Sequence, residues 1–184
     1  MFKVIVIGSP GAGKSTFARK LRDATGLPLY HLDLLWHKPD RTNISREELD
    51  LRLGEWIRKD HWIIDGNYGR TLETRLKTCD TVFLFDLPTE ICLAGAQARV
   101  GIKRDDLPWV ETEFDEEFRQ WIVDFRAEQL PRIYALLETY RKGRRIVIFH
   151  SREEADEFIA EIEKSPTSRE SKSGTPAPEK GKAT

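Results

Sequence analysis

Eight consecutive residues constrain this chain more than any other stretch: Gly8-Ser9-Pro10-Gly11-Ala12-Gly13-Lys14-Ser15. They match G-x-x-x-x-G-K-[ST] in full, and Thr16 follows. In front of them lies a short apolar run rich in β-branched residues, 2–7, read as a strand. Behind them a helical stretch, 16–24, closes near Gly26. Strand, glycine-rich turn and helix in that order make a phosphate-binding loop. Glycines let the backbone curl until several N–H groups point inward, and the helix N-terminus adds its positive dipole end. Lys14 reaches the β- and γ-phosphates, and the Ser15 hydroxyl ligates Mg²⁺. On this reading Gly8, Ser9, Pro10, Gly11, Ala12, Gly13, Lys14, Ser15 and Thr16 hold the nucleotide. A plain glycine-rich turn is the competing reading, and the strand and helix in register count against it.

The rest of the chain alternates strand and helix signals. Further strands are read at 29–32, 62–65 (WIID), 82–85 (VFLF) and 145–149 (RIVIF). Two capping boxes, Ser45-Arg46-Glu47-Glu48 and Ser151-Arg152-Glu153-Glu154, open helices running to about 59 and over 153–163. Another helix is expected from 88 to about 99. Strands apolar on both faces and separated by helices predict an α/β fold with a parallel sheet covered on both sides. Between 99 and 111 the pattern breaks into Gly, Pro and clustered charge, and a long helix follows from about 112 to 141, with Pro131 as a kink point.

With 184 residues the chain is one domain in size. Its 30 basic and 31 acidic residues give a net charge of -1, which argues against a broad basic face for nucleic acid or anionic lipid. No apolar run approaches the ~20 residues of a membrane span, and the N-terminal stretch does not read as a signal peptide. Two cysteines, Cys79 and Cys92, exclude a disulfide framework and a four-thiolate zinc site, and read as small core residues. A cytoplasmic location is expected. Residues 165–184 contain no Val, Ile, Leu, Met or aromatic residue and are read as a disordered tail after a domain of 1–164.

Acids at strand ends are the next candidates, because ligands in open α/β sheets gather at the carboxyl ends of strands. Asp33 follows the second strand and can orient an acceptor hydroxyl and take its proton; a helix N-cap or turn acid is the alternative. His31 reads equally as a core or surface histidine. Asp65 closes WIID and suits a Mg²⁺ or metal-water ligand, against a simple Asp-Gly turn. Asn67 and Tyr68 can line an acceptor pocket. Asp86 ends the fourth strand, where a helix-capping role competes. Arg99, Lys103 and Arg104 fall in the pattern break, and Arg119, Arg126 and Arg132 follow on the long helix. Phosphoryl transfer needs cations over the transferred group, and a basic segment closing over the nucleotide supplies them. Salt bridges to the nearby Glu and Asp residues are the bland alternative. Trp109, Trp121 and Phe125 read as packing rather than base stacking.

These runs together resemble the topology modulation proteins, an adenylate-kinase-like branch of the P-loop nucleotide and small-molecule kinases. GSPGAGKSTFARKL, LPLYHLDLLWHKP, WIIDGNYGRTLETRL, FLFDLP and FRQWIVDFRAEQLPRI carry the likeness over about 1–162. The first motif is specific to the P-loop superfamily; YHLD, WIIDGNY and the W-x₃-FR stretch are specific to the family. The resemblance implies a three-layer P-loop NTPase fold with five parallel strands in order 2-3-1-4-5 and a lid at about 99–113. It implies ATP on Gly11, Gly13, Lys14, Ser15 and Thr16, Asp33 on the acceptor side, Asp65 near the metal, Arg99 as the leading lid arginine and Arg126 next. Family members often carry a Gly-Cys pair in the lid; here LPWVETEFD has neither. The family's label suggests DNA, which nothing in this composition supports.

The leading expectation is a phosphotransferase that moves the γ-phosphoryl of Mg-ATP to a nucleotide or a small hydroxylated acceptor, with Lys14, Asp33, Arg99 and Arg126 at the chemistry and Ser15 and Asp65 at the metal. The alternative is a nucleotide-dependent regulatory module with slow hydrolysis, since the same loop serves both. A nucleic-acid protein is a third reading that the charge balance does not favour. No N-K-x-D run follows the fourth or fifth strand, so a GTPase-type guanine reader is not expected; adenine is favoured by the family likeness.

Overall fold

The computed structural model describes residues 1–164. The expected tail, 165–184, lies outside the described residues. In chain order the elements are β1 (Lys3–Gly8), α1 (Lys14–Thr25), β2 (Leu29–His31), α2 (Leu32–Trp36), α3 (Arg46–Ile57), β3 (Trp62–Asp65), α4 (Gly69–Thr78), β4 (Thr81–Phe85), α5 (Thr89–Gln97), α6 (Glu116–Glu128), α7 (Leu130–Thr139), β5 (Arg145–Phe149) and α8 (Arg152–Lys164). Among the described residues the five strands form one parallel sheet in order β2-β3-β1-β4-β5. This is the α/β architecture and strand order expected.

Alternation along the strands explains the three layers. Ile5, Ile7, Trp62, Ile64, Val82 and Leu84 point to one face, where α2, α3, α4 and α7 bring Leu32, Leu49, Leu72 and Ile133. Val4, Val6, Ile63, Phe83 and Phe85 point to the other, where α1, α5 and α8 bring Phe17, Cys92 and Ile159. Phe17 meets the rings of Phe83, Phe85 and Phe149 at centroid distances of 4.9–5.4 Å. Truncating such a side chain to Ala costs about 3–5 kcal/mol. This aromatic cluster therefore anchors α1, and with it the turn that precedes α1. Both cysteines are buried, as small core residues.

The serine half of each capping box forms, while the Glu154 carboxylate accepts from the His150 N–H at 2.7 Å rather than from Ser151. Ser45 Oγ accepts from the Glu48 N–H at 3.1 Å, and Ser151 Oγ from the Glu154 N–H at 3.2 Å. Three expectations need correction. The single long helix is two, α6 and α7, joined at Gln129: Pro131 supplies no N–H and its ring excludes the carbonyl of the preceding turn, so the first helix ends. That first helix also starts later than 112, at Glu116, where Asp115 caps the N–H groups of Glu117 and Phe118. Two helices, α2 and α4, stand where none was read, so Asp33 lies in the first turn of a short helix directly continuing β2. Between α5 and α6 the chain is irregular, pinned across its base by the Gly101 N–H to Glu111 carbonyl bond at 2.7 Å. No helix among the described residues is long and apolar enough to cross a membrane.

Candidate active site

The turn from β1 into α1 sits at the carboxyl end of the central strand. Two close approaches fix its glycines. A Cβ on Gly8 would lie 2.4 Å from the Phe85 carbonyl oxygen, and one on Gly11 would lie 2.0 Å from that of Cys92; both residues also have positive φ, 138° and 74°. Lys14 Nζ donates to the Ser9 carbonyl at 2.7 Å, folding the ammonium back over the loop. Burial lowers the Lys14 pKa, while Asp65 and Asp33 nearby raise it; burial prevails. An anion at this loop would restore the charged form.

A cavity of about 390 Å³ opens beside the loop, bordered by α1, α5 and α8. Arg19, Lys20 and Arg152 face it. Arg152, the first residue of α8, lays its guanidinium across the turn: Nη2 donates to the Gly11 carbonyl at 2.8 Å and Nε to that of Ala12 at 3.4 Å. The second capping box signalled the helix start but not that this side chain faces a loop 140 residues earlier in the chain.

A second cavity, of about 540 Å³, lies on the β2–β3 side and shares Lys14, Ser15, Arg99 and Arg104 with the first. Asp33, Asp65, Asn67 and Tyr68 face it, as do Trp36, Trp109, Phe118 and Trp121. Asp33 Oδ1 accepts from the Tyr68 hydroxyl at 2.8 Å. Burial pushes the Asp33 pKa up, against the lowering effect of the Tyr68 hydrogen bond; burial and the Asp33 carboxylate hold the Tyr68 hydroxyl protonated. Asp65 Oδ2 lies 2.8 Å from His31 Nδ1, while its Oδ1 is buried without a partner, as is Asn67 Oδ1. Beneath this loop Arg75 is fully buried and donates to the carbonyls of Gly66 and Tyr68 at 2.9 and 3.0 Å. Burial lowers its pKa to about 10.

The irregular segment between α5 and α6 closes the top. Arg104 donates to Asp106 through Nε (3.0 Å) and Nη2 (2.6 Å), and to Glu111 at 2.9 Å. Arg99 Nε lies 3.1 Å from Glu111. Asp106 is buried and lies 3.9 Å from the Arg19 guanidinium of α1. Burial works to raise its pKa, but Arg104 and Ser15 outweigh it and hold the carboxyl well below the usual range.

Of the residues singled out in the sequence, the structure therefore brings together Lys14, Ser15, Asp33, Asp65, Asn67, Tyr68, Arg99 and Arg104. Arg126 is not among them: it bonds Asp86 at 2.9 Å and faces a small cavity near Ser9 and Leu87. Asp86 is committed to that pair and to the Tyr134 hydroxyl at 2.8 Å. Arg119 pairs with Glu116 on the surface, and Lys103 and Arg132 are exposed. Phe125 is core, as read, whereas Trp109 and Trp121 face the second cavity. Asp106, Arg75 and Arg152 were not anticipated. Among the described residues no group of three or more His, Cys, Asp or Glu side chains is arranged to hold a metal by itself.

No family model matches the chain. Adenylate kinases of Thermotoga neapolitana and Thermotoga maritima are 28% identical to it over 88 residues, which is 47% of this chain and 39% of theirs. The match thus spans about two-fifths of the length of these curated relatives. Among solved structures, shikimate kinase from Bacteroides thetaiotaomicron superposes with a TM-score of 0.52 at 16% identity, covering 86% of this chain and 94% of that one. An unliganded sugar kinase from Janibacter sp. gives a TM-score of 0.49 at 19% identity, covering 86% and 90%. The likeness is one of fold: the chain has the α/β fold of the P-loop kinases.

Proposed function

We propose that the protein is a P-loop phosphotransferase that moves the γ-phosphoryl of ATP to an acceptor hydroxyl held at Asp33. One observation carries the reading: the phosphate loop opens onto two cavities that share Lys14, Arg99 and Arg104, with a carboxylate fit to orient a hydroxyl on the far side. A nucleotide enters by the first cavity and an acceptor by the second, so that the transferred group passes the shared cations. Part of the adenylate kinase sequence likeness and the P-loop kinase fold support the same reading. We further place the chain with the topology modulation proteins, on the sequence runs quoted above, and in the cytoplasm.

The chain's own groups act mainly by position and charge. Inward backbone N–H groups of the loop, Pro10 having none to give, bind the polyphosphate. Lys14 sets its ammonium against the terminal phosphates, and Arg99 and Arg104 neutralise charge that grows on the transferred oxygens. The segment around 99–113 acts as a lid, leaving its carboxylate partners for phosphate oxygens and excluding water. Asp33, positioned by Tyr68, orients the acceptor hydroxyl and takes its proton. We assign Arg126 to the Asp86 pair and not to the chemistry.

Mg²⁺ fits this site. Ser15 offers a hydroxyl, and Asp65 a buried carboxylate oxygen that lacks a partner. When bound with the nucleotide, the ion supplies neutralising charge between the phosphates.

Calorimetry and turnover test the reading together. Mg-ATP should bind the full chain, and Lys14→Ala should abolish that heat. ATP turnover should rise above the water-hydrolysis background with at least one hydroxylated acceptor. Binding without any acceptor-stimulated turnover would instead support a regulatory nucleotide module, and no binding at all would remove both.

A further inference from the structure

Charge is unevenly divided between the two cavities. Lys14, Arg99 and Arg104 stand on the shared border. Side chains facing the first cavity alone add three cations, Arg19, Lys20 and Arg152, against two acids, Asp106 and Asp156. Side chains facing the second cavity alone add no Lys or Arg. Their ionisable groups are Asp33, Asp65 and Glu111, together with His37 and the Tyr68 hydroxyl. Of the border arginines, Arg104 is matched by Asp106 and Glu111, and Arg99 lies 3.1 Å from Glu111 with its buried Nε left without a hydrogen bond. An acceptor that brought its own phosphate would meet three carboxylates there and no cation beyond those the transferred group needs. Like charges facing each other weaken binding tenfold or more.

The surface offered instead is aromatic. Trp36 and Tyr68 lie with ring centroids 6.4 Å apart, and Trp109 stands edge-on to His37 at 5.0 Å. Trp121, 41% exposed, extends the same surface. A planar ring stacks on such side chains whatever its substituents. Asn67, which lines this cavity, has a buried Oδ1 without a partner, an acceptor in want of a donor. Asp33 needs a hydroxyl.

We propose that the acceptor is an uncharged alcohol bearing a planar, hydrogen-bonding ring, nucleoside-like in chemistry, and not a compound already phosphorylated. This narrows the phosphotransferase reading and rests on it for the transfer step. In that step the acceptor oxygen bonds to the γ-phosphorus as the bond from that phosphorus to the β,γ-bridging oxygen breaks. The electron pair leaves with the nucleoside diphosphate, and the hydroxyl proton passes to the Asp33 carboxylate.

Binding of the acceptor can be followed without turnover, through the indole fluorescence of the full chain excited at the red edge of the band. Titrations use thymidine, uridine and pyridoxine, their 5′-phosphates, and the non-planar polyols glycerol and inositol, each with and without Mg²⁺ and β,γ-imido-ATP. At least one neutral ring alcohol should bind about tenfold or more tightly than its own phosphate and than either polyol. Trp109→Leu should weaken that probe by about tenfold. A phosphate ester binding as tightly as its parent overturns the proposal. So does a polyol binding as well as the ring compounds, or no neutral probe binding at all. Failure of the phosphotransferase reading shows separately, as an absence of heat with Mg-ATP or as ATP turnover that no acceptor raises above the water-hydrolysis background.

Discussion

Arg104 and Asp106, two residues apart, grip each other through two hydrogen bonds of 3.0 and 2.6 Å, and the same Asp106 carboxylate lies 3.9 Å from the Arg19 guanidinium on α1. The pair thereby ties the segment between α5 and α6 to the helix that follows the phosphate loop. Asp106→Asn leaves Arg104 short of its main partner in a largely desolvated place, and should cost about 2 kcal/mol of stability at neutral pH. The sign with pH follows from the depressed Asp106 pKa: its contribution is complete above the unfolded carboxylate value of about 3.9 and is lost as pH falls through the lower folded value. Chemical denaturation from neutral to acid pH should therefore show the wild type and Asp106→Asn converging at the acid end. A constant gap between them would mean that Asp106 stays uncharged in the fold.

Lys14 makes a prediction at the other end of the scale. Burial lowers its pKa, so its charge is lost at a lower pH than that of a free lysine, about 10.4. Mg-ATP affinity should fall along an alkaline limb centred below that value. Lys14→Met should bind weakly at every pH and show no such limb. Calorimetric titrations across alkaline pH read both curves.

Asp33 is displaced in the opposite direction, raised by burial. Acting as the ionised orienting group, it gives a transfer rate that rises with pH through an apparent pKa above the usual carboxylate range. The Tyr68 hydrogen bond lowers that pKa, so Tyr68→Phe should move the acid limb to still higher pH. Asp33→Asn should reduce transfer by about 10²–10⁴-fold and flatten the limb, while Mg-ATP still binds. An unaltered rate in Asp33→Asn removes this residue from the chemistry.

The strands and the phosphate loop were legible because their signals are local. β3 and β5 run over the residues read from sequence, since each is a short apolar run bounded by polar residues. The helix α4 was not legible, because half of its buried face is polar: Thr71 and Arg75 lie inward beside Leu72 and Leu76, and the apolar period disappears. Arg75 itself reads as a surface arginine until the fold places two carbonyls over it. Asp106 sat within a charge cluster, RDD, and its approach to Arg19 is a product of chain return, not of spacing. The aromatic period in α6 was visible, yet period alone could not tell that Phe125 turns to the core and Trp121 to the cavity.

Arg75 is consequently a positioning residue for the loop that carries Asn67 and Tyr68. Arg75→Met removes the donors from two carbonyls, at about 1–3 kcal/mol for each group left buried without a partner. Stability should fall by that order, and KM for the acceptor should rise further than KM for ATP, because the phosphate loop does not touch Arg75. Equal effects on both KM values would indicate general loosening of the fold.

Gly95 touches no cavity wall in the acceptor half, yet it controls the phosphate loop from behind. A Cβ there would lie 2.2 Å from the Gly11 carbonyl oxygen and 2.3 Å from Arg152 Nη2, the group that itself bonds that carbonyl at 2.8 Å. Two effects of Gly95→Ala oppose each other. Alanine stabilises a helix interior by about 1 kcal/mol, whereas the contact forces α5 away from a backbone that cannot yield without reshaping the loop. The steric effect should win, because the obstacle is main chain rather than the end of a flexible side chain. Mg-ATP affinity should fall by about tenfold or more, with little change in the far-ultraviolet circular dichroism. Gly54→Ala in α3 is the matched control: its Cβ would have Arg58 Nη1 as nearest neighbour at 3.5 Å, ordinary contact, so only helix propensity remains. That variant should gain about 0.5–1 kcal/mol and bind Mg-ATP as the wild type does. If Gly95→Ala gained stability and kept full affinity alongside Gly54→Ala, the close packing of α5 on the phosphate loop would play no part in nucleotide binding.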